Sequence, residues 1–238
     1  MLEGERVAGC CFTFGRRGAM TVYKSEKLPV CEQGEERQMV DSRESRFLLL
    51  TDKNSCLVLV DYQASMFKGI ASSDKSIIMQ TAIGAAKAAS MLGIPVVLST
   101  INPKYNGEFI PEIATLFPGQ KVISRKIPCY DAFEDEAVWS AVIKTGRKKM
   151  VVSGLWTRMC FAYTALHGLK EGLEVYGLMD AAGDSTSDAH NYAIERMLQA
   201  GVIPVTLESL ISDWMHNWGN PKSGEIVKEV YSKCGAMI

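Results

Sequence analysis

From about residue 55 onward the chain repeats one unit, a short and continuously apolar run followed by a stretch with helical spacing. The runs are CLVLVD (56–61), PVVLST (95–100), KVIS (121–124), KKMVVSG (148–154), LEVYGLMD (173–180) and IPVTL (203–207). They have strand length and little polar alternation, the pattern of strands buried on both faces. Between the first two, Ile78, Ala82, Ala85, Ala86, Ala89 and Leu92 recur at helical spacing over 74–92, and Gly93 and Pro95 supply the stop. Helices are also predicted over 133–145, 160–171 and 187–200 (with Gly201 as its cap), after 207 to about Trp218, and over 222–233.

Such alternation predicts a three-layer α/β/α sandwich around a six-stranded parallel sheet, with right-handed crossovers and the strand order 3-2-1-4-5-6. In that order strands 1 and 4 are neighbours at the switch point, and ligands of such sheets bind at the carboxyl ends of the strands there. Strand 1 ends in Asp61. Strand 4 runs into GLWTRMC, which delivers Cys160 to the start of a helix. A carboxylate and a thiol are thereby expected in one crevice.

A cysteine at a helix N-terminus feels the positive end of the macrodipole, which favours the thiolate, and free backbone N–H groups there suit an oxyanion. The plainer reading of a lone cysteine is a small buried hydrophobe. A nucleophile needs a base. Of the three histidines, His167 is seven residues beyond Cys160, a rise of about 10.5 Å on a helix and too far for a hydrogen bond. His190 and His216 follow strands 5 and 6 and belong to no motif, so Asp61 is the better placed base. Lys126, just past strand 3 in SRKIPCYDAF, is a cation able to favour the charged forms of both groups, and Arg125 beside it is a rival for that role. Gln63, Phe67, Asn102, Trp156 and Thr157 are candidate substrate-binding residues. Phe67 and Trp156 read equally well as pocket wall or as core. No dinucleotide fingerprint, P-loop or G-x-S-x-G elbow occurs.

Composition narrows the function classes. The 238 residues are 47% hydrophobic with a formal net charge of −1, which supports one sizeable core and favours neither nucleic acid nor a membrane surface as a partner. No apolar run approaches the roughly 18 residues of a membrane span, and the first residues lack the apolar stretch of a signal peptide, so a cytoplasmic protein is expected. The seven cysteines include no C-x-x-C pair and are expected to be reduced thiols. Residues 1–46 differ from the domain expected over 47–238: charges alternate, turn residues are frequent, and Met20 and Met39 are possible alternative starts. They read as an extension, poorly ordered or packed on a neighbouring subunit.

LVLVDYQ with Asp61 and Gln63, RKIPCYDAF with Lys126, and KTGRKKMVVSGLWTRMC with Cys160 occur in that order and together resemble the isochorismatase-like cysteine hydrolases, in particular their YcaC-like branch. The stretch EGLEVYGLMDAAGDSTSDAHNYAIERMLQAGVIPVT reads the same way, so the resemblance covers about 55–218. It implies a catalytic triad of Asp61, Lys126 and Cys160 and a cis peptide at Leu155–Trp156 that turns the Trp156 and Cys160 N–H groups into an oxyanion hole. It also implies hydrolysis of a small amide-type substrate through a thioester, without a cofactor. Nicotinamidases of this superfamily hold a metal on Asp and His after the second strand; INPKYNG (101–107) has neither, so no metal is expected. A homo-oligomer is implied, octamers being common among close relatives. Two other readings stand beside the enzyme: a ligand-binding or scaffolding assembly with little turnover, and a thiol redox sensor at Cys160 with Cys129 as the resolving partner.

Overall fold

The structure, a computed structural model, describes residues 49–233; the extension expected over 1–46 lies outside the described residues. Strands β1 (Ser55–Val60), β2 (Val96–Thr100), β3 (Ile123–Ser124), β4 (Lys149–Gly154), β5 (Glu174–Leu178) and β6 (Ile203–Val205) form a single sheet in the order β3-β2-β1-β4-β5-β6. Every neighbouring pair is parallel. This is the topology that the strand–helix alternation predicts. All residues of β1, β2 and β4 are buried, which explains why these segments show no polar alternation.

Helices cover both faces. On one, Leu57, Leu59 and Val151 meet the alanine-rich α1 (Lys75–Leu92) and the apolar stripe Leu207, Leu210, Ile211 and Trp214 of α5 (Leu207–Met215). On the other, Val58, Val60, Met150 and Val152 meet Val138 and Val142 of α2 (Glu136–Lys144), Ala165 of α3 (Ala162–Lys170) and Met197 of α4 (Ser187–Ala200). Local chemistry fixes the ends. The Asp74 carboxylate accepts the Ser76 N–H at the start of α1, and Gly93 and Gly201 take left-handed φ values of 67° and 106° at the ends of α1 and α4. The helix expected from 133 is broken in two. Asp131 caps a short 3-10 turn (Ala132–Glu134), and Asp135 caps α2 by accepting the Ala137 N–H at 3.0 Å.

One glycine sets the geometry at the switch point. Gly154, the last residue of β4, lies opposite Val60, and a Cβ placed on it would stand 2.7 Å from the Val60 carbonyl oxygen. With no side chain there, the two carboxyl ends approach closely, and the Leu155 N–H donates to Val60 O at 3.2 Å. Asp61 and the turn bearing Cys160 therefore leave the sheet side by side.

Candidate active site

Asp61 follows β1 in a left-handed backbone conformation (φ 61°), uncommon for any residue but glycine, and is held by its N–H donating to Ser99 O at 2.9 Å. Its carboxylate is fully buried. The cation that meets it is Arg125: Nη2 lies 2.5 Å from Asp61 Oδ2, with both side chains sealed from solvent. Arg125 continues the β3 ladder by donating its N–H to Thr100 O, which turns its side chain inward across the edge of β2. Lys126, one residue on, points the other way. Its side chain is exposed, and what it contributes is its backbone N–H, donated to Asp135 Oδ2 at 2.8 Å. The structure thus brings Asp61, Arg125 and Cys160 together and leaves the Lys126 ammonium outside.

Cys160 is 1% exposed. It sits in a π-helical turn (Thr157–Phe161) that precedes α3, where the sequence predicts a plain helix start. The turn is held by Thr157 N–H to Gly183 O at 3.0 Å and Arg158 N–H to Asp184 Oδ2 at 2.9 Å. Trp156 O accepts from Met159 and, five residues along, from Phe161, so the Cys160 N–H is outside that bonding. The Leu155–Trp156 peptide is cis, and among the described residues no backbone acceptor takes the Trp156 N–H.

The three side chains form one electrostatic unit. Burial pushes the Cys160 thiol well above the ordinary range, the adjacent Asp61 carboxylate adds to this, and Arg125 opposes both. Burial also raises Asp61, against the pull of the Arg125 guanidinium and the Cys160 thiol. The resting thiol is therefore neutral. The guanidinium also opposes the upward push of burial on a second, half-buried thiol, Cys129. Among the described residues several buried polar atoms at this edge have no hydrogen-bond partner: Asp61 Oδ1, Arg125 Nε and Nη1, and Ser99 Oγ. A sealed ion pair with unused donors and an unused acceptor can receive a proton at the carboxylate and support a developing negative charge beside the guanidinium.

The other predicted site residues are placed as follows. Gln63 is buried with its amide used at both ends, Oε1 accepting the Ile101 N–H at 3.0 Å and Nε2 donating to Gly107 O, so it ties down the loop after β2. Phe67 is core, against Tyr62. Asn102 is half-buried in a left-handed conformation and caps nothing with its side chain. Trp156 donates Nε1–H to Met66 O at 2.8 Å and packs over Gly69. Thr157 is buried with Oγ1 2.8 Å from Nδ1 of His190, which links α4 to the Cys160 turn. Asp184, which lies within the stretch EGLEVYGLMDAAGDSTSDAH but takes no role from the resemblance, is fully buried and accepts from the Arg158 side chain and from the N–H groups of Arg158 and Ser185. His167 pairs with Asp131 and stacks on Trp139, away from Cys160. Among the described residues no group of three His, Cys, Asp or Glu could hold a metal ion, and no helix is long and apolar enough to cross a membrane.

The family profile described as the isochorismatase domain matches residues 55–209. The probable hydrolase YcaC of Escherichia coli strain K12 is 28% identical over 175 residues, 73% of this chain and 84% of its own length. The crystal structure of that YcaC, an octameric hydrolase of unknown specificity, superposes with a TM-score of 0.74 at 25% identity, covering 79% of this chain and 93% of the other. YcaC from Pseudomonas aeruginosa, solved with hexane-2,5-diol and covalent acrylamide, gives the same TM-score and identity over 79% of this chain and 94% of that one.

Proposed function

The chain belongs to the isochorismatase family, and from that premise we propose that it is a cysteine hydrolase acting on a small amide-type substrate. In the reaction, the Cys160 thiol proton passes to Asp61 Oδ1 as sulfur attacks the substrate carbonyl. The tetrahedral oxyanion is received by the N–H groups of Trp156 and Cys160. Protonated Asp61 then gives its proton to the leaving amine, and the same carboxylate activates water to hydrolyse the thioester. Arg125 takes the role that the sequence resemblance implied for Lys126. It anchors Oδ2 and offsets the cost of the buried negative charge, which leaves Oδ1 as the proton acceptor.

One observation carries this reading: a sealed carboxylate, fixed through one oxygen by a guanidinium and unbonded at the other, electrostatically coupled to a buried thiol. A merely structural ion pair has no reason to leave Asp61 Oδ1, Arg125 Nε and Arg125 Nη1 unbonded. The Escherichia coli relative is octameric, and we propose a homo-oligomer for this chain as well.

Iodoacetamide labelling near neutral pH, with cysteines mapped by peptide mass spectrometry, tests the reading before a substrate is known. Selective labelling of Cys160 that collapses in both Asp61→Asn and Arg125→Ala, followed by turnover in a panel of small primary amides, is the expected result. Labelling of Cys160 no faster than that of Cys56, and unchanged in Asp61→Asn, would remove the catalytic assignment and leave a binding assembly.

A further inference from the structure

The loop and helices behind the Cys160 turn enclose a second feature that the chemistry above does not use. A cleft of about 280 Å³ lies between Arg158 of the π-turn, Ala162 of α3, and Ala189, Tyr192, Ala193 and Arg196 along one face of α4. Neither Asp61 nor Cys160 lines it. The α4 residues fall at helical spacing on one face, so Tyr192 and Arg196 stand one turn apart on the same wall.

Its charge is lopsided. The two charged lining residues are arginines; Arg158 is paired with Asp184, and Asp188 stands one turn before Tyr192 on α4. The carboxylate nearest in the network, Asp184, is fully buried and already accepts from three donors, the Arg158 and Ser185 N–H groups and the Arg158 guanidinium. Arg158 is bonded through Nη1 alone, to Asp184 and to Ser185 Oγ at 2.8 Å, which fixes the guanidinium while Nε and Nη2 remain available to donate. That side chain is 35% exposed and rests over the Trp156 ring at 5.7 Å. Arg196 is steadied in the same way, over the Tyr163 ring at 5.6 Å. The floor is apolar, three alanine methyls, and the Tyr192 ring is 68% exposed beside it.

Two pre-oriented guanidiniums above an apolar floor, with a free aromatic ring at the wall, select an anion attached to a flat apolar body. The volume is below the usual range of about 300–1,000 Å³ for drug-sized ligands, so the body is small. We propose that this cleft is a binding site, separate from Cys160, for a small aromatic carboxylate. Its occupant bonds Arg158, whose backbone N–H braces the Cys160 turn.

Calorimetric titration of the full-length protein with benzoate at low ionic strength, with inorganic phosphate as the control, tests the assignment. The expected result is saturable binding of one benzoate per chain, weakened about tenfold or more in Arg196→Ala and in Tyr192→Ala and unchanged in Cys160→Ser. Phosphate is expected to bind more weakly than benzoate and to be insensitive to Tyr192→Ala, because it has no ring to pack. Four results overturn the proposal: no saturable binding, as when a neighbouring subunit covers α4; binding that survives Arg196→Ala; binding lost in Cys160→Ser, which places the anion at the nucleophile; or phosphate binding as tightly as benzoate.

Discussion

Two ion pairs are buried at opposite ends of one sheet. At the amino edge, Lys149 opens β4 and meets Glu174 of β5 at 2.8 Å, with the Tyr176 hydroxyl at 2.9 Å and the Tyr176 ring 5.2 Å beneath the ammonium. Burial alone pulls Lys149 down, but the bonds to Glu174 and Tyr176 outweigh it and hold the group charged, above the ordinary lysine range. At the carboxyl edge, Arg125 and Asp61 are more deeply sealed, yet among the described residues Asp61 Oδ1 and Arg125 Nε and Nη1 have no N or O partner at hydrogen-bond distance, and the Cys160 thiol lies beside them. The first pair spans two neighbouring strands, with the Lys149 ammonium bonded to both Glu174 and Tyr176. The second keeps an unused acceptor and unused donors beside a thiol. The two pairs differ in depth of burial, 0% and 0% exposure against 4% and 20%, and in how much of their bonding capacity is used.

The largest expected effect separates the pairs by chemistry. Asp61→Asn should slow Cys160 alkylation by iodoacetamide at least about 100-fold, the scale of a lost general base, whereas Lys149→Met should leave the rate unchanged; equal slowing in both variants would dissolve the distinction. Stability is expected to separate them as well. Arg125→Ala strands the sealed Asp61 carboxylate and should lower unfolding free energy by about 3–5 kcal/mol in urea titrations, whereas Lys149→Met leaves the partly exposed Glu174 able to reach water and should cost less. Gly154→Ala should cost about 1–3 kcal/mol by forcing apart the carboxyl ends of β1 and β4, and should slow Cys160 labelling while leaving the Lys149–Glu174 pair intact.

The pH dependence sharpens the comparison further. Asp61 is raised by burial, so its carboxylate is lost on acidification at a pH above the ordinary carboxylate range. Wild-type Cys160 labelling should therefore fall on acidification as Asp61 takes up its proton, at that same elevated pH. In Asp61→Asn the residual rate should instead climb about tenfold per pH unit, because it depends on the rare free thiolate of a thiol that burial holds neutral. Cys56, pushed up to about 11 by burial against the pull of Thr145 and Arg147, provides a reference thiol in the same digest. The smallest effect is expected for Lys126→Ala. An exposed side chain there should change stability by less than about 0.5 kcal/mol, and labelling should stay close to wild type.

The sheet was legible because its signal is redundant. Six apolar runs, their spacing and the handedness of crossovers all point to one strand order, and Asp61 and Cys160 follow from where strands 1 and 4 end. The cation was harder. Between Arg125 and Lys126 the choice is one of side-chain parity on a strand that pairs over only Ile123–Ser124, too short to reveal which residues face inward. The bond from Arg125 N–H to Thr100 O decides it, and that is a tertiary fact. Gln63 and Phe67 stand next to the chemistry in sequence, but one is consumed by backbone bonds and the other by the core. The link between His190 and Thr157 joins elements more than thirty residues apart and has no local trace in the sequence. The π-turn is invisible to helical periodicity because it shifts bonding without changing which residues are apolar.

The position of Gly154 opposite Val60 also has a consequence for the nascent chain. β1 is a central strand with all six residues buried, yet one of its two edges waits for a partner encoded some ninety residues later, a delay of several seconds at about 5–20 residues per second. During that interval the most apolar strand presents an open edge, and the Lys149–Glu174 pair does not yet exist. Asp61 and Cys160 become neighbours only when that edge closes. The crevice that holds both side chains is therefore absent from any chain that ends before β4 has paired with β1.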